Sequence, residues 1–447
     1  REIVAIHSPS MSFAVPKEQE SQDLVCIVTE RLKNGDLISG AARMDLTTGR
    51  GSVAELADFE RLAAWTSKIK PREVLLFSRS RDLSEEVISD LGWGSDSGLA
   101  SHLYFLSDFP HHHLPDFQNR FLSTRYDTGP VSPLECFGLE FSPLAAQAWV
   151  HGCEFVEMHD KSLLKRAVHP TLESSDLDVT LDKNAIQDLR ILPKQGNGSS
   201  LFKIVNMTVT PQGRRELTRR LTTPIRDERE LKRRYDFVDG LEESLDQVRT
   251  SLGGVYDIER LSRSWATSRI NPSGWARMVS SYCKVREIVV LVSSLLPDGG
   301  KSHLEALDLV ISMSSEAFNI DKMQSFVRWC DLSESFVRRG RDPELDALMD
   351  EISSAGAKLD SIRQEAVDVL KGARVHLKSD RDTWVLSTTK KRAAVLKSSS
   401  SKWKVKQGAA SAKVTTIDLQ AAARTKIEAT SKMQRLVRSV FVDEIDD

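Results

Sequence analysis

Hydrophobic positions change their rhythm along this chain, from short β-rich runs before residue 130 to spacings of three and four after Ser142. In the first stretch Val25 to Thr29 and Leu37 to Leu46 read as strands. Lys33-Asn34-Gly35-Asp36 supplies a hairpin turn between them, and Thr47-Thr48-Gly49 closes the second. A helix is expected from about Glu55 to Lys68, and the apolar run Val74 to Phe77 behind Pro71 gives a further strand. This mixture predicts an α/β domain over residues 1–130. Between Asp108 and Pro133, five prolines or glycines and the triplet His111-His112-His113 mark a connecting region.

Beyond Ser142 the pattern is almost wholly helical, with breaks at Pro193 to Gly198, Pro224, Pro272 and Pro297 to Gly300, so residues 131–341 are expected to form an all-α domain. Asp342-Pro343-Glu344 combines an N-cap acid, a first-turn proline and a second acid, which together start a helix. Leu345, Leu348, Ile352, Ala355, Leu359, Ile362, Ala366 and Val369 then form a heptad seam. A second helix from about Asp418 carries Ile427, Leu436, Val437, Val440 and Phe441 on one side. The expectation is an antiparallel arm, outgoing over 342–372 and returning over 417–447, with a small β-rich tip over 373–416. At 1.5 Å per residue the arm would be about 40 Å long.

Charge sharpens this picture. The chain of 447 residues has a net charge of −2, yet residues 371–413 hold twelve Lys or Arg against Asp380 and Asp382. A basic segment in an otherwise acidic chain points to one surface that meets phosphate. Within it Lys402, Lys404 and Lys406 alternate with Trp403 and Val405, so on a strand three ammonium groups would share one face. Trp384 and Trp403 read as packing beneath the tip. Apolar residues at 40% and charged residues at 28% exclude wholesale disorder. No apolar run reaches about 18 residues and no secretory leader opens the chain, so no membrane contact and an intracellular site are expected. The five cysteines are too scattered for a disulfide framework or a CxxC metal site.

Several blocks, in order, resemble the MutS mismatch-repair family. Gly198-Ser199-Ser200-Leu201, then Thr208-Val209-Thr210-Pro211-Gln212-Gly213-Arg214-Arg215 with Leu221, Pro224 and Asp227, looks like the family's core motif. In it Thr210 can cap a helix, Pro211 fits its first turn, and Leu217 and Leu221 would pack inward. Leu181-Asp182 and Leu189 match an upstream run, although Asp188 and Arg190 stand where Asn and Glu are usual and Arg220 replaces a tryptophan. Asp257-Ile258-Glu259-Arg260-Leu261 and Gly340 to Leu348 are similar to two further blocks, the second opening a lever helix. Asp45 to Gly49 and Pro71 to Leu75 look like the family's connector domain, and Arg1-Glu2-Ile3-Val4 like the run before it. The Lys402 to Lys406 stretch and the Gly196 to Ser199 loop are similar to the larger subunit of the eukaryotic heterodimer.

The resemblance implies an N-terminal ribonuclease-H-like α/β connector, an all-α core, two lever helices and a basic clamp. The clamp's backbone-binding residues would be Lys390, Lys391, Arg392, Lys397, Lys402, Lys404, Lys406 and Lys413. It further implies duplex DNA, especially mismatched, a second MutS-type subunit and a MutL-type protein as partners, in the nucleus if the source is eukaryotic and otherwise in the cytoplasm. Mismatch reading and ATP hydrolysis, with magnesium, would belong to domains that cannot be placed in this sequence, and both ends read as cuts or unobserved regions. No catalytic, cofactor or metal residue is expected within the chain. The rival reading is a repair-inactive MutS-like scaffold in recombination or organelle assembly, suggested by the drifted clamp and by Asp188, Arg190 and Arg220.

Three sharper chemistries each lack part of the residue set they need. Gly300-Lys301-Ser302 resembles the end of a P-loop, but Leu295 stands where the first glycine belongs. His111-His112-His113 lacks a further metal ligand at a recognisable spacing and reads as a solvent loop. Asp45 lacks the clustered carboxylates that a two-metal nuclease needs.

Overall fold

The computed structural model of the chain describes residues 23–69, 71–93, 99–173, 179, 181–193, 199–380, 383–407 and 411–446. Two compact units emerge, residues 1–271 with 280–307, and residues 272–279 with 308–447.

In the first unit β1 (Asp23–Arg31), β2 (Leu37–Asp45) and β3 (Arg50–Leu56) form an antiparallel meander. β4 (Glu73–Ser78) and β5 (Ala100–Phe105) extend it in parallel beyond β1, and the short β6 (Thr171–Leu172) pairs with β3, giving the order β5-β4-β1-β2-β3-β6. Both faces are covered, which is why β1 reads as a continuous apolar run. Val25, Ile27, Val74 and Leu76 pack with Leu62 and Trp65 of α1 (Phe59–Ser67) and with Leu83 and Val87 of α2 (Arg81–Leu91). Leu24, Cys26, Val28, Leu75 and Phe77 point the other way. They meet Leu122 of α3 (Pro115–Ser123), Leu134 of α4 (Pro133–Cys136), and Ala145, Trp149 and Val150 of α5 (Pro143–His159).

Two expectations change here. The helix expected from Glu55 starts at Phe59, capped by Asp58, because Glu55 and Leu56 complete β3 opposite Gly40 and Ser39. The α/β layer also continues past residue 130. A Cβ at Gly40 would lie 1.9 Å from the Leu144 carbonyl carbon, so glycine alone admits α5 this close. Glu55 Oε2 accepts hydrogen bonds from the Leu144 and Ala145 amides at 3.2 and 3.3 Å, satisfying the first turn of α5.

After this layer come helices Pro211–Thr222, Glu228–Gly240, Leu245–Leu252 and Ile258–Ala266. They are thinly buried: Leu217 and Leu221 are only half-buried, and Ile204, Met207, Tyr235 and Val238 are exposed. Arg263 fastens the last helix to the sheet layer. Its buried guanidinium donates to the main-chain oxygens of Leu46, Lys165 and Leu163.

In the second unit a long helix (Pro343–Val369) leads to a four-stranded antiparallel sheet, and another (Ile417–Asp446) returns. The first of these helices has 27 residues, so it rises about 40 Å. Asp342 accepts from the Leu345 amide at 2.7 Å and Pro343 occupies the first turn. Leu345, Leu348, Ala355, Leu359 and Ala366 are buried, while Ile352, Ile362 and Val369 flank this stripe half-buried. On the returning helix the buried stripe is Leu419, Ala422, Ala423, Ala429, Met433, Val437, Phe441 and Ile445, so Ile427, Leu436 and Val440 stand at its margin. Phe441 closes on Phe318, Phe336 and Trp329 at the base. Among the described residues no helix is long and apolar enough to cross a membrane.

Candidate nucleic-acid interface

The basic tip is a sheet of order β7-β8-β10-β9 with one helix against it. Its strands are β7 (His376–Asp380), β8 (Thr383–Thr388), β9 (Lys404–Gln407) and β10 (Ala412–Thr415). The tip helix runs from Lys390 to Ser399, a segment the sequence pattern places in a β-rich region. Lys390 to Leu396 contains no glycine, proline or alternation, and Ala393 and Leu396 are spaced to bury one helical face. Those two pack with Leu386, Trp403, Ala412 and Val414, and with Leu359, Ala366, Leu419 and Ala423 of the long helices, while Trp384 and Val405 lie partly buried against them.

This core decides where each cation points. Lys390, Lys391, Arg392 and Lys397 are exposed on the tip helix, away from Ala393 and Leu396. Lys404 and Lys406 lie on the edge strand β9 with exposed side chains, alternating with the half-buried Val405. Lys406 stands directly opposite Lys413 of β10. The helix covers the Val405 side of the sheet, so the strand lysines occupy the other side, and seven of the eight residues, all but Lys402, form two basic faces rather than one.

Lys402 departs from the expected strand face. It lies in the turn before β9, its Nζ pairs with Glu365 of the outgoing helix, and it sits 5.1 Å from the Trp403 ring centroid. Two residues of the strand face escaped the sequence reading. His376 is paired through Ser387 to Lys413, and Lys378 follows it two residues on, both exposed. The alternation Val375, His376, Leu377, Lys378 was the available signal.

One local feature stands out electrostatically. Lys390, Lys391 and Arg392 occupy the first turn of a ten-residue helix that has no acid there and no side-chain cap. Cations at a helix N-terminus oppose the macrodipole and its free amides, an arrangement that an anion would relieve.

In the first unit the chain brings two of its sequence motifs together. Arg215 donates to Asp257 Oδ1 and Oδ2 at 2.7 and 2.8 Å and to Glu259 Oε2 at 2.5 and 3.1 Å. Burial alone would raise the Asp257 carboxyl, but the hydrogen bonds and charge of Arg215 outweigh it and hold Asp257 below its usual range. Asp257 also caps the helix Ile258–Ala266 and Thr210 caps Pro211–Thr222, so the cluster fixes two helix starts. The substituted Arg220 pairs with Glu216 on the surface. Asp45 accepts from the Thr47 amide and hydroxyl at 2.9 and 2.7 Å, which gives it a turn-forming role. Asp298 accepts from the Gly300 and Ser302 amides, occupying the donors that a phosphate would need at Gly300-Lys301-Ser302. The Arg1 to Val4 run and Gly196 to Gly198 lie outside the described residues.

Comparison with known proteins agrees with the family resemblance. The family model described as MutS domain III matches residues 184–441. A mutS homolog of Acanthamoeba polyphaga mimivirus is 23% identical over 422 residues, spanning 83% of this chain and 37% of its own length. The DNA mismatch repair protein MutS of Chlorobaculum tepidum is 26% identical over 374 residues, spanning 82% of this chain and 41% of its own. That of Streptococcus sanguinis is 26% identical over 315 residues, spanning 69% and 33%. The chain thus spans well under half the length of these relatives.

Proposed function

The chain belongs to the MutS family, and on that premise we propose that it is the central section of a mismatch-repair subunit that grips the backbone of duplex DNA through its basic tip. In this reading the α/β layer is the ribonuclease-H-like connector, the 342–372 and 417–447 segments are levers, and residues 373–416 are the clamp. Mismatch reading and magnesium-dependent ATP turnover belong to further domains of the whole protein. A second MutS-type subunit and a MutL-type protein are its partners, and the levers couple the clamp to the ATPase.

The observation that carries the reading is the placement of exposed Lys and Arg at the end of two long packed helices, with three of them crowding a helix N-terminus. Phosphate contacts of this kind release counterions, so log K should fall by about 0.9 per contact for each decade of salt. The test is a salt titration of fluorescein-labelled duplex binding by the chain. It is repeated with Lys390, Lys391, Arg392, Lys397, Lys402, Lys404, Lys406 and Lys413 all changed to Gln. Affinity and salt slope should both collapse in the variant; an unchanged slope would refute the clamp assignment.

A further inference from the structure

We propose that His112, His151 and Glu154 form a binding site for a divalent transition-metal ion, with zinc as the leading candidate, inside the α/β unit. Their ligand atoms all lie within 4.8 Å of one another. His112 comes from the histidine triplet; His151 and Glu154 are three residues apart on α5, and so share one helix face. The missing ligands therefore stand about forty residues beyond the triplet, in a helix that only the fold brings back.

The site is enclosed. His112 and His151 are 8% and 1% exposed, their rings stacked at 4.5 Å with an interplanar angle of 1°. Phe77 stacks on His151 at 3.9 Å, and Phe109 and Phe117 lie 5.1 and 4.6 Å from His112. Each ring has its Nε2 beside a polar group of α5, Glu154 at 2.8 Å for His112 and Gln147 at 3.5 Å for His151. Each also has a buried Nδ1 without a hydrogen-bond partner among the described residues. Two orphaned imidazole nitrogens in one pocket are costly for a purely structural packing role. Burial, with the nearby His112, lowers the His151 pKa to about 3, so the ring is uncharged.

Two imidazoles and one carboxylate suit zinc or iron(II) rather than calcium or magnesium. Tetrahedral zinc would need donor separations of about 3.4 Å, so the rings must swing together slightly on binding. Three protein ligands leave a position for water. The ion would staple the loop before α3 to α5, and with it the connecting segment to the sheet.

The test uses the full chain, stripped with chelator and titrated with Zn²⁺ against a chromophoric competitor, with Co²⁺ absorption as a second readout. One ion per chain should bind, and its removal should lower the melting temperature. Glu154→Gln, at a half-buried position and with its fold checked by circular dichroism, should weaken Zn²⁺ binding by about tenfold or more. His112→Gln should weaken it further, and His111→Ala with His113→Ala, both at exposed positions, should leave it unchanged. Absence of saturable binding would overturn the proposal. Binding that survives Glu154→Gln and His112→Gln undiminished, or that is lost with His111 and His113, would overturn it equally.

Discussion

The side chains of Arg215, Asp257 and Glu259 are 18%, 16% and 22% exposed, so their attraction is only partly screened. Among the described residues, removing the guanidinium leaves Asp257 paired with only Arg260, at 3.5 Å, and Glu259 with only Arg50, at 2.5 Å, which softens the loss. Arg215→Met should therefore destabilise the chain by about 2 kcal/mol at pH 7, less than the 3–5 expected of a fully buried pair. The sign of its pH dependence follows from Asp257, whose folded pKa lies below its ordinary value of 3.8. Such a group contributes stability that is complete above the unfolded value and is lost as pH falls through the folded one. Urea midpoints of parent and variant should differ most at neutral pH and converge below about pH 4; a gap that persists unchanged at pH 3 would mean that the Arg215 charge is not what stabilises this site. The two motifs were visible in the sequence as blocks, because each is a local helix start. Their meeting was not, since 42 residues of chain separate Arg215 from Asp257 and nothing local encodes the contact.

At the scale of elements, legibility follows how local the cause is. The start at Asp342-Pro343 could be read because the cap acts within one turn, and Asp342→Ala should cost about 1 kcal/mol. The outgoing seam was readable too, since leucines mark it. On the returning helix Val437 and Phe441 lie in the buried line as the pattern suggests, but Ile427, Leu436 and Val440 stand beside it. The line runs on through Met433 and through Ala422, Ala423 and Ala429, whose small side chains let the partner approach. This gives a sharp comparison. Met433→Ala, at a position with no exposure, should lose about 2–5 kcal/mol, and Leu436→Ala, at a half-buried one, less than half of that. Thermal or urea unfolding of the two variants decides it, and equal losses would place the seam where the sequence pattern first suggested. The tip helix was hidden for a related reason: a strongly basic, serine-flanked segment shows little periodicity, and only the packing of Ala393 and Leu396 reveals it.

For the whole molecule, the division of the tip into two basic faces changes what DNA binding should look like. A duplex lying on the helix face meets Lys390, Lys391, Arg392 and Lys397; one on the strand face meets Lys404, Lys406 and Lys413. The helix face has the stronger case. Its three first-turn cations add to the positive end of the helix and have no acid beside them in that turn, so an anion there gains from both. Replacing these four residues with Gln should flatten the salt slope by up to about 3.6, and replacing the three strand lysines by less, with about 2.7 as the ceiling. Lys402→Gln alone should barely alter the slope, because Glu365 already engages that ammonium. Phosphate contacts fix position without reading bases, so perfect and mismatched duplexes should bind this chain within about twofold of each other. The decisive measurement is a set of salt titrations on the three variants with both duplexes. A larger effect from the strand lysines would move the DNA to the other side of the sheet, and a clear preference for the mismatch would show that these residues read more than backbone.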